Sequence, residues 1–228
     1  MPRQKSDETK LAEGYGEGHG ADYKPWLESG KVNSIGVAAG FPDIRTGRMM
    51  QFLSQGELWF YLLFRWNDSV VDIREQFALK PLSETNEIAY ELGVEPAFHG
   101  TLIKTTDMLL DFADGSQLAF SVKSSRKDVT DRQKELLAVE QEYWRRRNIP
   151  WVLGFKEDLN PIEVKNIKDC FEVYHGKYIT DEIGVVRYLI ANKLILVDMT
   201  KPIDYRAIAK ELKETELWTK TKSMLEHF

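Results

Sequence analysis

From Ser54 the chain reads SQGELWFYLLFRWND, with apolar side chains at positions 58, 59, 61, 62, 63 and 66. They occupy most of a helical circumference, so the pattern predicts a buried helix. SVVDIREQFAL predicts an exposed turn running into a strand, and PLSETNEIAYELG a short helix followed by a loop. TTDMLLDFADGSQLAFSVKSS then alternates like a hairpin. In TDRQKELLAVEQEYWRRRN the apolar residues recur at 136, 137, 139, 143 and 144, a helical period that Asn148 and Pro150 stop. IPWVLGF predicts a short buried strand. Helix, strands, helix and strand in this order specify an α/β core with a mixed sheet flanked by helices.

Near Asn160 and Pro161, a good cap and first helical residue, a new unit begins. NPIEVKNIKDCFEVYH, TDEIGVVRYLIANK and PIDYRAIAKELKE predict short helices, with LILVDM as one brief strand. The expected division is residues 1–158 and 159–228, the second part small, mostly helical and winged-helix-like. The stretch EGYGEGHGADYKPWL has neither a strand before it nor a helix directly after it, which excludes a dinucleotide fingerprint. It reads as a flexible arm.

With 43% hydrophobic and 29% charged residues, the composition is that of a folded globular protein, and no apolar run reaches membrane-spanning length. The N-terminal residues lack a signal-peptide core and Cys170 stands alone, so a cytoplasmic location is expected. A net charge of −5 argues against bulk coating of nucleic acid, leaving local basic patches to contact phosphates.

The hairpin has two possible registers. A two-residue Asp114-Gly115 turn would set Met108 opposite Ser121 and Leu110 opposite Ala119, mixing polar with apolar. A three-residue loop, Ala113-Asp114-Gly115, pairs Leu110 with Leu118 and Met108 with Phe120, making one face apolar throughout. The other face then carries Asp107, Leu109 and Asp111 against Ser121, Ala119 and Gln117, with Lys123 beyond. Asp107, Ser121 and Lys123 thus converge at one end, whereas Asp111 reads as a solvated strand residue. A carboxylate that holds Mg²⁺ and a lysine that stabilises developing charge are the ingredients of phosphodiester hydrolysis. Two such residues at a sheet end are equally the material of a solvated ion pair.

Taken in order, EGYGEGHGADYKPWL, VVDIREQFAL, TTDMLLDF, SVK and YWRRRNIPW resemble the TnsA family of transposon-end endonucleases, within the PD-(D/E)-x-K superfamily, over roughly residues 13–170. The resemblance implies a restriction-endonuclease-like domain followed by a winged-helix-like domain. It implies a catalytic set of Glu57, Asp107, Ser121 and Lys123, with Mg²⁺, or Mn²⁺ in its place, held by Glu57, Asp107 and the Val122 backbone carbonyl. Ser121 departs from the family's glutamine. Ser54-x-x-Glu57 is also a capping-box pattern, in which the glutamate serves the helix N-terminus. Glu140 matches a family position or belongs to a charged helix face. Arg145, Arg146 and Arg147 are candidates for gripping DNA phosphates or for complementing a helix dipole. His19, His99, His175 and His227 lack metal-ligand spacing, and His19 reads as part of the arm.

The implied function is Mg²⁺-dependent hydrolysis of the 5′, non-transferred strand at transposon ends during cut-and-paste transposition. The implied partners are transposon-end DNA, a TnsB-type DDE transposase and a TnsC-type ATPase regulator, with no membrane. Two other classes remain: an inactive adaptor bridging transposase, ATPase and DNA, and a stand-alone restriction or repair nuclease.

Overall fold

A computed structural model describes residues 5–28 and 39–225, and these fall into two compact units, Met1–Asp158 and Leu159–Phe228. The first begins with helix α1 (Asp7–Ala12) and a short hairpin, β1 (Ala39–Pro42) with β2 (Met49–Phe52), that the sequence pattern does not announce. Helix α2 (Gln55–Trp66), strand β3 (Val70–Ala78) and helix α3 (Leu82–Glu91) follow. Strands β4 (Thr105–Phe112) and β5 (Gln117–Lys123), helix α4 (Asp131–Arg145) and strand β6 (Trp151–Phe155) complete the core. The four-stranded sheet runs β3-β4-β5-β6, antiparallel except for β5 and β6, which the α4 crossover makes parallel.

The β4–β5 hairpin adopts the three-residue register, with Met108 opposite Phe120, Leu110 opposite Leu118 and Asp111 opposite Gln117. Gly115 sits at φ +83°, a conformation that side-chain-bearing residues rarely adopt. Both sheet faces are covered, because the crossover lays α4 on one side and α2 packs on the other. Phe60 and Phe64 of α2 meet the Phe120 ring at 4.7 and 4.8 Å. On the opposite face Leu109 and Ala119 join Val139, Tyr143 and Trp144 of α4 and Ile88 of α3 in one buried cluster. Beneath α2, Arg65 and Asp43 form a fully buried ion pair at 2.6 Å, and the Tyr61 hydroxyl donates to the same carboxylate at 2.7 Å.

Three expectations are corrected here. The glycine-rich stretch is tied down: Tyr23 and Trp26 are buried, the Tyr23 hydroxyl donates to the Glu75 carbonyl, and the Trp26 amide to that of Gln76. Large aromatic groups at its C-terminal end anchor a segment whose glycines suggested freedom. β6 is an edge strand with Val152 42% exposed, because it has a neighbour on one side only. In the second unit LILVDM is not a strand; Leu194 and Leu196 are exposed and have no partner strand among the described residues. That unit consists of helices α5 (Pro161–Phe171), α6 (Glu182–Ala191), α7 (Tyr205–Leu212) and α8 (Glu216–Leu225). No wing strands occur among its described residues.

Candidate active site

Asp107 lies near the start of β4, and the Val122 amide of β5 donates to its Oδ2 at 2.6 Å. No donor to Oδ1 is present among the described residues. Glu57 approaches from α2, where Ser54 caps the helix by accepting the Glu57 amide at 3.2 Å. The Glu57 carboxylate accepts the Ser54 hydroxyl on Oε1 at 2.9 Å, and the Leu53 amide and Gln76 Nε2 on Oε2 at 2.8 and 3.0 Å. The capping role is therefore real, although the backbone amide reached is that of Leu53, one residue before the cap. Two carboxylate oxygens offer about four lone pairs, so one on Oε1 stays open.

Gln76 and Glu140 complete the arrangement. Gln76 is buried in β3 at φ +49°; its amide donates to Glu57 and accepts the Thr105 hydroxyl at 3.1 Å, which fixes its orientation. Glu140 projects from α4 into the sheet and is 3% exposed, so it does not belong to a solvated helix face. Its Oε1 accepts the Thr106 hydroxyl at 2.8 Å, the Trp151 indole at 3.1 Å and the Ser121 hydroxyl. Trp144 steadies Thr106 with an indole hydrogen bond at 2.7 Å.

The electrostatics follow from burial and crowding. Glu57 is pushed up to about 8, first by burial and then by Asp107. Asp107 is pushed up to about 6 by burial and by Glu140, against the opposing pull of Lys123, the Val122 amide and Lys104. Burial holds Lys104 below the ordinary lysine range, although Glu140 and Asp107 favour its charge. Three carboxylates thus repel one another in a poorly solvated place with two ammonium groups nearby. Such an array favours a bound cation, which removes both the repulsion and the desolvation penalty.

The structure places Asp107 in electrostatic range of both Glu57 and Lys123, with Lys123 partly exposed and in no ion pair among the described residues. Ser121 is 2% exposed and its hydroxyl is directed to Glu140. Val122 contributes its amide to Asp107. The arginines lie elsewhere: Arg145 bonds Glu142, Arg146 bonds Glu142 and Glu91, and Arg147 bonds Glu84 at 2.6 Å while stacking on Tyr143. Asp111 is bound by Arg74 at 2.8 Å, so it is not a solvated strand residue. His227 lies outside the described residues. Sequence reasoning passed over Gln76 and Lys104, whose only signal was a polar residue within or just before an apolar strand.

The family description "TnsA-like endonuclease N terminal" matches residues 67–154, which carry Asp107, Ser121, Lys123 and Glu140. The chain is also 38% identical over 168 residues to the Escherichia coli "Transposon Tn7 transposition protein TnsA", a match covering 72% of this chain and 61% of that relative. Residues 67–154 therefore form a TnsA-like endonuclease domain. It spans about three fifths of the length of the curated TnsA protein it matches. Glu57 lies outside the family-matched residues, and its placement beside Asp107 is a finding of the tertiary structure. No helix among the described residues is long and apolar enough to cross a membrane.

Proposed function

We propose that this chain is the divalent-metal-dependent DNA endonuclease subunit of a heteromeric transposase, hydrolysing the 5′, non-transferred strand at transposon ends. The observation that carries the reading is the cluster of Glu57, Asp107 and Glu140 with Lys123 beside it, all but Glu57 inside the TnsA-like domain. The donor set fits a hard divalent cation such as Mg²⁺ or Mn²⁺: Asp107 Oδ1 accepts no hydrogen bond among the described residues, Glu57 Oε1 keeps one lone pair, and both carboxyl groups are held above their ordinary range. Asp107, Glu57 and the Val122 carbonyl would hold it. When bound, the cation supplies charge stabilisation to the phosphodiester undergoing attack.

The chain's own groups do the rest. The Val122 amide fixes the Asp107 carboxylate, and Gln76 with Ser54 fixes Glu57. Lys123 offers its ammonium to the attacking water or a phosphoryl oxygen. Hydrolysis forms a bond between water oxygen and phosphorus and breaks the phosphorus–O3′ bond, leaving a 3′-hydroxyl and a 5′-phosphate. A DDE transposase of TnsB type would cut the other strand, under an ATPase regulator of TnsC type. The net charge of −5 suits a subunit positioned on DNA by partners.

The deciding experiment incubates end-labelled transposon-end DNA with this chain, its partner transposase and MgCl₂ or MnCl₂. Cutting of the 5′ strand that disappears in EDTA and in Asp107→Ala supports the assignment. Equal cutting by Asp107→Ala refutes it.

A further inference from the structure

Further along the same two strands, away from the catalytic cluster, three other ligand-type side chains meet. Asp72 of β3 stands opposite Asp111 of β4 at the hairpin end of the sheet, four residues along β4 from Asp107. His19 reaches them from the arm, its Nδ1 3.7 Å from Asp72 Oδ2 and 3.8 Å from Asp111 Oδ2. One ligand atom from each of the three lies within 4.8 Å of the others. These separations exceed hydrogen-bond length. The two histidine–aspartate separations are in the range of roughly 3 to 4 Å that separates ligands sharing an ion about 2.1 Å from each.

The surroundings hold the groups together without satisfying them. Asp111 Oδ1 accepts Arg74 at 2.8 Å and Gln117, but the buried Oδ2 has no hydrogen-bond partner among the described residues. Among the described residues, Asp72 Oδ2 accepts only the Gly20 amide, at 2.9 Å. The arm is fixed around the histidine: Arg48 Nε donates to the Gly20 carbonyl at 3.0 Å, and Gly18, at φ +88°, leaves no room for a Cβ, which would stand 2.8 Å from the Asp22 carbonyl oxygen. Two carboxylates face each other with Arg74 as the cation bonded to one of them. An uncapped oxygen, a second carboxylate and an imidazole nitrogen point at one spot.

We propose that His19, Asp72 and Asp111 form a second cation site, distinct from the catalytic cluster, which takes a first-row divalent ion such as Zn²⁺ or Mn²⁺ and pins the N-terminal arm to the sheet. Imidazole with two carboxylates selects such ions over Mg²⁺, which prefers oxygen ligands and retains its waters. His19 is 72% exposed, so the remaining coordination positions open to water. The competing arrangement is an imidazolium that merely bridges two aspartates.

The test uses the full chain in an Asp107→Asn background, so that the catalytic cluster contributes little, dialysed against EDTA and titrated calorimetrically with ZnCl₂ at neutral pH. One Zn²⁺ equivalent is expected, weakened roughly 100-fold by adding His19→Ala. Circular dichroism should show His19→Ala folded, since that side chain sits at the surface. Hydrogen exchange supplies a second readout: Zn²⁺ should slow exchange of the Gly20 amide in the parent but not in His19→Ala. Zn²⁺ binding unaffected by His19→Ala, or absent altogether, overturns the site and leaves the imidazolium bridge.

Discussion

Ser121 gives its hydroxyl hydrogen to Glu140, and both groups are buried. The serine that stands where the family's pattern has glutamine thus serves a carboxylate on a neighbouring helix. Glu140 keeps Thr106 and Trp151 when Ser121 is removed. Ser121→Ala should therefore retain most cleavage activity and lose about 1 kcal/mol of stability, the worth of one hydrogen bond. Asp107→Ala should lose about 100-fold or more in cleavage, a loss of the size seen when one preorganised electrostatic group is removed. Cleavage rates beside urea midpoints separate the two effects, and equal severe loss of cleavage in both would make the serine hydroxyl a participant in catalysis.

Gln76 acts through Glu57. Its amide donates to one carboxylate oxygen while Thr105 holds its other end, so Gln76→Ala removes one of the three hydrogen bonds that orient the Glu57 carboxylate among the described residues. The expected result is a drop in turnover on the order of 10-fold and a shift of the Mn²⁺ dependence to higher concentration, with unchanged affinity for DNA. A Mn²⁺ titration of cleavage beside a DNA-binding assay in Ca²⁺ checks this. Weakened DNA binding with an unaltered metal dependence would point to a purely structural role.

The raised carboxyls make the metal-free protein sensitive to pH. In the folded state burial and crowding push Glu57 up to about 8 and Asp107 to about 6, above the ordinary carboxylate values of 4.5 and 3.8. Between these limits the folded form carries protons that the unfolded chain has released. The associated stability is complete below the lower values and declines as pH rises through the folded ones. Asp107→Asn removes one such group and relieves the other, so in EDTA its stability relative to wild type should increase between about pH 5 and about pH 8. Mn²⁺ affinity of the wild type should rise over the same window, because the ion displaces the proton. Thermal scans and calorimetry at three pH values measure both trends.

Division of labour between two nucleases has a consequence in cells. With Asp107→Ala or Lys123→Ala, a partner transposase can still cut and join its own strand while donor DNA stays attached. Replication through that branched product should convert simple insertions into cointegrates. Long-read sequencing of transposition products reads the ratio directly, and simple insertions at the wild-type proportion would contradict the nuclease assignment.

Much of the scaffold was legible along the chain because its cause is local. Alternation of side chains with the Ala113-Asp114-Gly115 loop selected the hairpin register, since a one-residue slip would have moved Met108 opposite Ser121 and Leu110 away from Leu118. Helical periods marked α2 and α4, and Ser54 caps α2, although Glu57 reaches the Leu53 amide rather than that of Ser54. LILVDM failed for the converse reason: an apolar run becomes a strand only where another strand accepts its backbone groups, and none does among the described residues.

What surrounds Asp107 was decided only in three dimensions. Glu57, Gln76, Lys104 and Glu140 come from a helix start, two places in or beside strands, and the middle of another helix. Nothing in their spacing announces a meeting, and the same holds for His19, Asp72 and Asp111. Periodicity reports which face of an element is buried, because burial repeats with every turn or pleat. Which polar groups then confront one another depends on how elements distant in sequence pack across the sheet, and the cost of crowding buried charges there creates a site that no single segment contains.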